Sequence, residues 1–300
     1  MTNETLLISR PMAARANAWC RSRDWRWWHV SWETFRDGTP NVKIADIDRS
    51  VADKDVTFLA DFTAREDLLA QLGVIYALPR YGARSLKVVL PFFPTATMER
   101  VDADGEIATA KTLERMLSAI PATKTGPAEI HFCDPHTPGL RFYFADTVLP
   151  KPFTAMGHAR TASATLEDPV VVFPDEGARK RFSKEFPGID IVTCGKHRDG
   201  DRRRVRVIDG MPSGKDCLIV DDLIQTGGTL LECRDALILK GARSVSVFAT
   251  HGVFPGESWR RFTPELFLKV WITDSCPRTA EAVERLPNFE VLSVADIIPL

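Results

Sequence analysis

Residues 217–229 constrain the fold of this 300-residue chain more than any other segment. They read Cys-Leu-Ile-Val-Asp-Asp-Leu-Ile-Gln-Thr-Gly-Gly-Thr, an apolar run that ends in two adjacent carboxylates and continues into a polar turn with two glycines. Residues 230–239 then have a helix-like pattern that ends before Gly241. This order predicts a buried parallel strand, a tight loop and the N-terminus of a helix.

The predicted loop has the chemistry of a phosphate site. Gly227 and Gly228 allow close approach of the backbone, and the loop N–H groups and hydroxyls can face an anion. The carboxylates of Asp221 and Asp222 stand where ribose hydroxyls or a hydrated Mg2+ would bind. The alternative is a strand–turn–helix capped by a threonine, without a ligand, although two adjacent carboxylates are a poor choice for capping alone.

Composition places the chain among ordinary globular proteins. Apolar residues make up 44% and charged residues 26% of the chain, and the formal net charge is -1, so nothing global indicates a nucleic-acid partner. No apolar stretch approaches the roughly 18–20 residues of a membrane span, so we expect no membrane partner. The N-terminal residues lack the features of a signal peptide. We therefore expect a cytoplasmic protein.

The 6 cysteines are consistent with that compartment. None has the spacing of a CxxC pair or a zinc site, and most lie inside apolar runs. We expect buried free thiols in a reducing environment. The aromatic and basic residues 25–28 admit a nucleic-acid interpretation, but packing against a partner or a core edge is favoured.

The alternation of elements predicts an α/β fold with two domains, residues 1–150 and 151–300, each with a mainly parallel central sheet flanked by helices. The boundary is expected in the proline-bearing residues 149–153. Strand-like runs and helical patterns alternate in both halves. The predicted strands are 6–8, 56–60, 86–90, 130–133, 170–173, 189–193, 217–220, 245–249 and 266–272, and the predicted helices are 65–78, 108–120, 176–186 and 229–240.

A second charged motif precedes the glycine-bearing loop. Six of the eleven residues 196–206 are lysine or arginine, and an Asp-Gly-Asp centre predicts the tip of a mobile hairpin. A basic clamp for phosphate groups is one interpretation, and a solvated charged hairpin is the other.

The ordered motifs of the chain resemble those of ribose-phosphate pyrophosphokinase, also called phosphoribosyl pyrophosphate (PRPP) synthetase, of the plant-type class II. The resemblance extends from about Trp32 to the C-terminus. It rests on residues 90–101, 141–144, 173–177, the loop at Lys196, and residues 221–229, 250–255 and 271–276. It implies two tandem phosphoribosyltransferase-type domains.

The resemblance implies that the enzyme transfers the diphosphoryl group of ATP to O1 of ribose 5-phosphate, giving PRPP and AMP for nucleotide biosynthesis, with Mg2+ as cofactor. In this family a Lys-x-Arg pair stabilises the transferring phosphates, and Lys196 and Arg198 match it. The residues expected to bind ribose 5-phosphate are Asp221, Asp222, Gln225, Thr226, Gly227, Gly228 and Thr229. Gln225 replaces an aspartate of the commoner enzymes.

Metal ligation is expected at Asp175, because it lies at the carboxyl end of a predicted buried strand, the expected edge for ligands; a helix cap is the alternative. His136 is expected at the metal and the ATP phosphates, although histidine is an unusual ligand for Mg2+ and a hydrogen-bonding loop role is the alternative. His251 is expected to be structural rather than a base.

Residues 35–39 match the family block that reaches the adenine of a neighbouring subunit, so a homo-oligomer is expected. ATP contacts are expected from Phe35, Asp37, Thr39, Arg100 and His136. Thr39 stands where glutamate is usual, and the Arg-Gln-Asp block of the commoner enzymes is missing.

Two alternatives to the synthetase follow from these departures. One is a non-catalytic regulatory subunit associated with a synthetase. The chain retains Lys196, Arg198 and the carboxylate pair, which argues against this alternative. The other is a phosphoribosyltransferase that consumes PRPP, although such chains usually have one domain of this type. The class II resemblance predicts weak or absent activation by phosphate and a looser choice of nucleotide donor.

Overall fold

A computed structural model describes residues 4–23, 27–94, 98, 101–199 and 202–299. The chain divides into two compact units, one of Met1–Phe153 with Ser293–Leu300 and the other of Thr154–Leu292. The sequence pattern places all of 151–300 in the second domain. The structure differs at the C-terminus, because Ser293–Leu300 returns to the first unit.

The first unit contains a parallel sheet in the order β2-β1-β5-β6-β7-β8. A separate antiparallel hairpin is formed by β3 and β4. The strands are β1 Glu4–Ile8, β2 Trp27–Trp28, β3 Val30–Thr34, β4 Pro40–Ile44, β5 Asp55–Leu59, β6 Ser85–Leu90, β7 Ala128–Cys133 and β8 Val148–Phe153, and the helices are α1 Ala16–Arg23, α2 Ile47–Ser50, α3 Leu68–Arg80 and α4 Thr109–Ser118.

Apolar clusters cover both faces of this sheet, as expected for parallel strands. Phe58, Val88 and Ile130 face a cluster that includes residues of α3 and α4. Strand positions alternate between the faces, so Leu59 and Val89 belong to the opposite cluster. That cluster also contains Trp19 of α1 and three residues of the C-terminal segment, Val294, Ala295 and Ile298. The C-terminal segment therefore completes the core of the first unit.

Strand β8 occupies the proline-bearing stretch in which the domain boundary is expected. Its Pro150 and Pro152 pair with Ile130 and Phe132 of β7. Proline cannot donate a ladder hydrogen bond, so it is tolerated on an edge strand such as this one. The division between the units follows directly after this strand, between Phe153 and Thr154.

The second unit contains a sheet in the order β11-β10-β9-β12-β13-β14-β15. Its neighbouring strands are parallel except for the antiparallel pair β10 and β11. The strands are β9 Pro169–Phe173, β10 Ile191–Asp199, β11 Arg202–Asp209, β12 Asp216–Ile224, β13 Ser244–Gly252, β14 Val270–Thr273 and β15 Phe289–Leu292, and the helices are α5 Met156–Ser163, α6 Glu176–Phe182, α7 Gly228–Leu239 and α8 Pro277–Val283.

The strand order of the second sheet reverses between β9 and β12. From β9 the chain passes to β10 on one side, and it then returns to β12 on the other. Pairing of β12 with β9 ends at Ile219, whereas pairing with β13 continues to Ile224. In the described part of the chain, the last residues of β12 therefore have a strand neighbour on one side only. A crevice at such a reversal is the usual ligand position in α/β sheets.

Two sequence expectations need a correction or a refinement here. The predicted strand 266–272 begins only at Val270, because the N–H groups of Leu266 and Phe267 donate to Thr263 O in a turn. Phe267 is buried, so its apolar side chain reflects core packing, while the N–H of Leu268 already donates to Val245 O of β13 over 2.9 Å. Of the free cysteines, Cys20 is half-buried and the other five are buried. None of the described helices is long and apolar enough to span a membrane.

The packing of the C-terminal segment predicts a stability effect. We expect Ile298→Ala to lower the free energy of unfolding by about 2–4 kcal/mol, because a buried Ile side chain leaves a cavity. Leu69→Ala in α3 is the matched control, since Leu69 is exposed and its loss is expected to cost under about 1 kcal/mol. Denaturant unfolding of both variants measures the difference. Equal stability of the two would contradict the assignment of this segment to the core.

Candidate active site

The two adjacent carboxylates lie near the carboxyl end of β12, inside the strand and not after it as the sequence predicts. The backbone N–H of Asp222 donates a hydrogen bond to Asp221 Oδ1 over 2.9 Å. Their side chains have different electrostatic surroundings. Asp222 is buried and forms an ion pair with Arg181 of α6, with 3.2 Å between Nη1 and Oδ2. The guanidinium of Arg181 also lies over the Phe182 ring, 4.5 Å from its centroid.

Asp221 is in a less favourable electrostatic position. Burial and then the negative charge of Asp222 raise the pKa of the Asp221 carboxyl well above its usual value, and the charge of Asp175 acts in the same direction. A cation bound beside Asp221 would lower this pKa again. Asp222, in contrast, already has the compensating charge of Arg181. Arg181 therefore compensates the charge of Asp222, whereas a bound cation would compensate the charge of Asp221.

Residues 225–229, which we call the loop 225–229, comprise the expected turn after β12 and the first two residues of α7, which begins at Gly228. Gly227 has φ +76° and is the N-cap residue of α7, and no side chain caps this helix. A Cβ atom at Gly227 would lie 2.4 Å from the Phe262 ring, so only glycine fits here. A Cβ atom at Gly228 would have Thr226 Oγ1 as its nearest contact, at 4.0 Å.

This geometry argues against the alternative of a threonine-capped turn without a ligand. The N–H groups in the first turn of a helix have no partner within the helix, and here the N-cap residue is Gly227, which has no side chain to accept from them. The positive end of the helix dipole adds to their attraction for an anion. The loop and the N-terminus of α7 thus have the geometry of a phosphate site.

Asp175 directly follows Pro174 at the end of β9 and caps helix α6. Its Oδ1 accepts a hydrogen bond from the N–H of Ala178 over 2.9 Å. The helix-cap alternative is therefore observed, and a ligand role at this exposed carboxylate stays a prediction. Because its charge raises the pKa of Asp221, Asp175 lies within electrostatic reach of the carboxylate pair.

The basic run 196–206 forms the antiparallel hairpin of β10 and β11. Lys196 pairs with Val205, and Arg198 pairs with Arg203. The parallel pairing of β10 with β9 ends at Thr193, so this part of the hairpin continues beyond the parallel sheet. The side chain of Lys196 is exposed, while the side chain of Arg198 lies outside what the structure describes. A catalytic role for both residues stays a prediction.

The expected ATP residues lie in the first unit. The hairpin β3–β4 has Phe35 at its turn, 55% exposed. Asp37 Oδ1 accepts from the N–H of Thr39 over 2.9 Å, and this bond, with that of the Thr39 hydroxyl, lowers the pKa of Asp37. His136 is exposed in the loop after β7. Arg100 lies outside the described residues.

Metal binding depends on the donor atoms that the site offers. Among the described residues, no group of three or more His, Cys, Asp or Glu side chains is placed to hold a metal ion. Mg2+ is commonly held by one or two carboxylates, waters and substrate phosphates, and the oxygen donors of Asp221 and Asp175 fit that pattern. The nitrogen donors of His136 fit it less well.

His251 lies within β13 and is buried rather than in a loop. Its Nδ1 is 2.9 Å from Ser275 Oγ, and Ser275 Oγ also donates to Thr250 O. This buried network supports a structural role.

Three polar residues near the carboxylate pair or the loop escaped the sequence analysis, namely Arg181, Ser258 and Arg261. Their contacts join distant parts of the chain, so no local pattern identifies them.

A doubly wound sheet with carboxylates and a phosphate loop at its reversal defines an α/β protein that binds a phosphorylated ligand. The comparisons with known proteins narrow this class. Residues 12–120 match the N-terminal domain of ribose phosphate pyrophosphokinase. The chain is 44% identical to ribose-phosphate pyrophosphokinase 3, mitochondrial, of Spinacia oleracea over 279 residues, which cover 90% of this chain and 68% of the relative.

Two further comparisons agree. Ribose-phosphate pyrophosphokinase 4 of Arabidopsis thaliana is 44% identical over 278 residues, with 90% of this chain and 82% of the relative covered. The crystal structure of phosphoribosylpyrophosphate synthetase from Mycobacterium smegmatis superposes with a TM-score of 0.79 and 26% identity, covering 98% of this chain and 95% of the other. The chain belongs to the ribose-phosphate pyrophosphokinase family.

This membership confirms the resemblance and the expected fold of two phosphoribosyltransferase-type α/β domains. The identity to plant relatives agrees with the plant-type class II. The cytoplasmic location stays a prediction, since the spinach relative is mitochondrial by name.

The unfavourable charge at Asp221 predicts a stability gain on its removal. We expect Asp221→Asn to raise the free energy of unfolding of the ligand-free protein at pH 7–8, because the raised pKa of Asp221 makes its carboxyl costly to ionise in the folded state. As pH falls well below the usual aspartate pKa of about 3.9, the wild-type carboxyl becomes neutral in the unfolded state as well as in the folded state, so the gain disappears. It grows as pH rises, because only the unfolded chain then ionises readily.

Denaturant unfolding at several pH values measures this effect. Asp190→Asn is the control, because Asp190 is an exposed carboxylate of the same unit. A gain in the Asp221→Asn variant that persists unchanged at pH 3, or an equal gain in the control, would show that burial of charge is not its cause.

Proposed function

We propose that the protein transfers the diphosphoryl group of ATP to O1 of ribose 5-phosphate and thereby forms PRPP and AMP for nucleotide biosynthesis. The observation that carries this proposal is the uncapped loop 225–229 beside Asp221 and Asp222 at the strand reversal, in a member of the ribose-phosphate pyrophosphokinase family. The basic hairpin that contains Lys196 belongs to the same unit.

Ribose 5-phosphate is bound by the second unit in this proposal. The N–H groups of the loop and the hydroxyls of Thr226 and Thr229 hold the 5-phosphate. Asp221 and Asp222 accept hydrogen bonds from ribose hydroxyls, and the ion pair with Arg181 orients the Asp222 carboxylate. Gln225 removes one negative charge from the loop relative to the commoner enzymes, which favours an anion.

Mg2+ is part of the proposal through its oxygen donors. Asp221 and Asp175 are the residues of the second unit whose carboxylates would hold it, and His136 is the candidate in the first unit. When bound, Mg2+ neutralises the charge that the phosphate oxygens carry during transfer. The raised pKa of Asp221 supports this assignment, because a carboxylate without a compensating cation is costly to ionise.

Phosphoryl chemistry of this kind needs positioning and charge stabilisation more than a protein nucleophile. The O1 hydroxyl attacks the β-phosphorus and loses its proton to water, the bond between the β-phosphorus and the oxygen that bridges it to the α-phosphorus breaks, and AMP leaves. Lys196 and Arg198 stabilise the charge on the transferring group. The exposure of Lys196 on a hairpin that extends beyond β9 supports a group that closes over bound substrates.

ATP binding and assembly are linked in this proposal. Phe35 stacks on the adenine, Asp37 accepts from its amino group with the oxygen that does not bind Thr39, and Thr39, Arg100 and His136 supply polar contacts. Phe35 is a large aromatic side chain that is mostly exposed at a hairpin turn, which supports a site completed between subunits of a homo-oligomer.

The experiment that tests the function is formation of AMP and PRPP from ATP, Mg2+ and ribose 5-phosphate, with and without inorganic phosphate. We expect AMP formation that depends strictly on ribose 5-phosphate and proceeds without added phosphate. AMP formation without ribose 5-phosphate, or PRPP consumption on addition of a base, would contradict a synthetase. Binding of both substrates without turnover would favour the regulatory subunit, and a strict phosphate requirement would exclude class II behaviour.

The hairpin predicts a large effect of one substitution. We expect Lys196→Ala to lower kcat at least about 100-fold, the scale of a lost transition-state contact, with little change in ribose 5-phosphate binding. Lys184→Ala is the control, since Lys184 is another exposed lysine of the same unit. Steady-state rates of AMP release measure both. A kcat within about threefold of wild type in Lys196→Ala would support the solvated-hairpin alternative.

A further inference from the structure

One segment outside the expected site contacts the loop 225–229 at three consecutive residues. Ser258 Oγ donates a hydrogen bond to the carbonyl oxygen of Gln225 over 3.0 Å. Arg261 Nη1 donates to the carbonyl oxygen of Thr226 over 2.8 Å. The Phe262 ring occupies the space next to the Cα of Gly227. We call Ser258, Arg261 and Phe262 the loop brace.

Phe262 anchors the loop brace in the core of the second unit. Phe262 is buried and stacks on Phe267, with ring centroids 4.9 Å apart and planes at 19°. Its ring also meets that of Phe254 edge-on at 5.2 Å. The side-chain amide of Asn288 donates to the carbonyl oxygen of Phe262 over 3.0 Å. The donors of Ser258 and Arg261 are therefore attached to a packed core and not to a free surface loop.

Because of peptide geometry, these two hydrogen bonds fix the direction in which the next N–H groups of the loop point. In a planar trans peptide, the carbonyl of one residue and the N–H of the next point in opposite directions. Holding the carbonyl of Gln225 towards Ser258 therefore directs the N–H of Thr226 away from the brace. Holding the carbonyl of Thr226 towards Arg261 does the same for the N–H of Gly227.

We infer that Ser258 and Arg261 are positioning residues of the ribose 5-phosphate site, which aim the N–H groups of Thr226 and Gly227 at the 5-phosphate before the ligand binds. The inference rests on the proposed function of the loop. Preorganised donors lower the cost of ordering the loop on binding. They also keep carbonyl oxygens, which would repel a phosphate, on the opposite side. The effect therefore belongs to ribose 5-phosphate affinity and not to the transfer step.

The neighbouring Arg260 provides a matched control. It carries the same charge at the adjacent position, but it pairs with Glu257, with 2.8 Å between Nε and Oε2. Both side chains of this pair are exposed, and the pair lies within the segment itself, three residues apart. Arg260→Ala therefore removes one positive charge from the same segment and leaves the brace in place.

The test measures the Kd of ribose 5-phosphate by calorimetry, and its KM and the KM of ATP by AMP release, for the full chain. We expect Arg261→Ala and Ser258→Ala each to raise the Kd and KM of ribose 5-phosphate about tenfold, the scale of one lost hydrogen bond, with kcat and the KM of ATP within about twofold of wild type. Arg260→Ala should match wild type. Arg261→Lys should recover part of the loss, because its ammonium can donate one hydrogen bond to the same carbonyl.

Each other outcome would overturn the inference. A loss in Arg261→Ala without one in Ser258→Ala would indicate direct attraction between the guanidinium and the phosphate, since Ser258 is neutral. An equal loss in Arg260→Ala would indicate general charge, and unchanged Kd values in both brace variants would leave the loop independent of them. Absence of ribose 5-phosphate binding by the wild type would refute the proposed function itself, which separates that failure from failure of the brace.

Discussion

The reversal of strand order between β9 and β12 is the constraint on which the proposed chemistry of the second unit depends. A parallel sheet brings the carboxyl ends of its strands to one edge, and the reversal leaves the end of β12 without a strand neighbour on the β9 side in the described chain. Asp175 and the carboxylate pair share that edge, as does the loop that begins α7. Helix α6 enters the same region from the end of β9, and its Arg181 compensates the charge of Asp222.

That arrangement distributes charge unevenly over two adjacent aspartates. Asp222 meets the guanidinium of Arg181, whereas desolvation and the negative charges of Asp222 and Asp175 disfavour ionisation of Asp221. Sites that bind cations or polar ligands commonly retain such a locally unfavourable group, since the ligand supplies the missing compensation. Gly227 is a second position with a strict local requirement. Its positive φ and the adjacent Phe262 ring exclude any side chain, and the same contact with Phe262 restrains the loop backbone.

Much of the fold could be predicted because its signals are local. Apolar runs at 56–60, 86–90 and 170–173 became strands close to their expected bounds, since a run buried on both sheet faces has a distinct composition. Short or edge elements gave weaker signals. The prolines of β8 indicate a linker as readily as an edge strand. The apolar run before β14 contains a turn at Phe267, whose burial in the core gives the same sequence pattern as a strand.

The sequence alone determined the motif at 217–229 and its order of strand, carboxylates, glycine turn and helix, because every part is contiguous in the chain. The tertiary structure alone decided which groups surround that motif. The contacts of Arg181 with Asp222 and of Arg261 with Thr226 join different elements, and Ser293–Leu300 reaches the core of the first unit from the far end of the chain. Such contacts depend on how helices and strands pack, and no spacing along the chain records that packing.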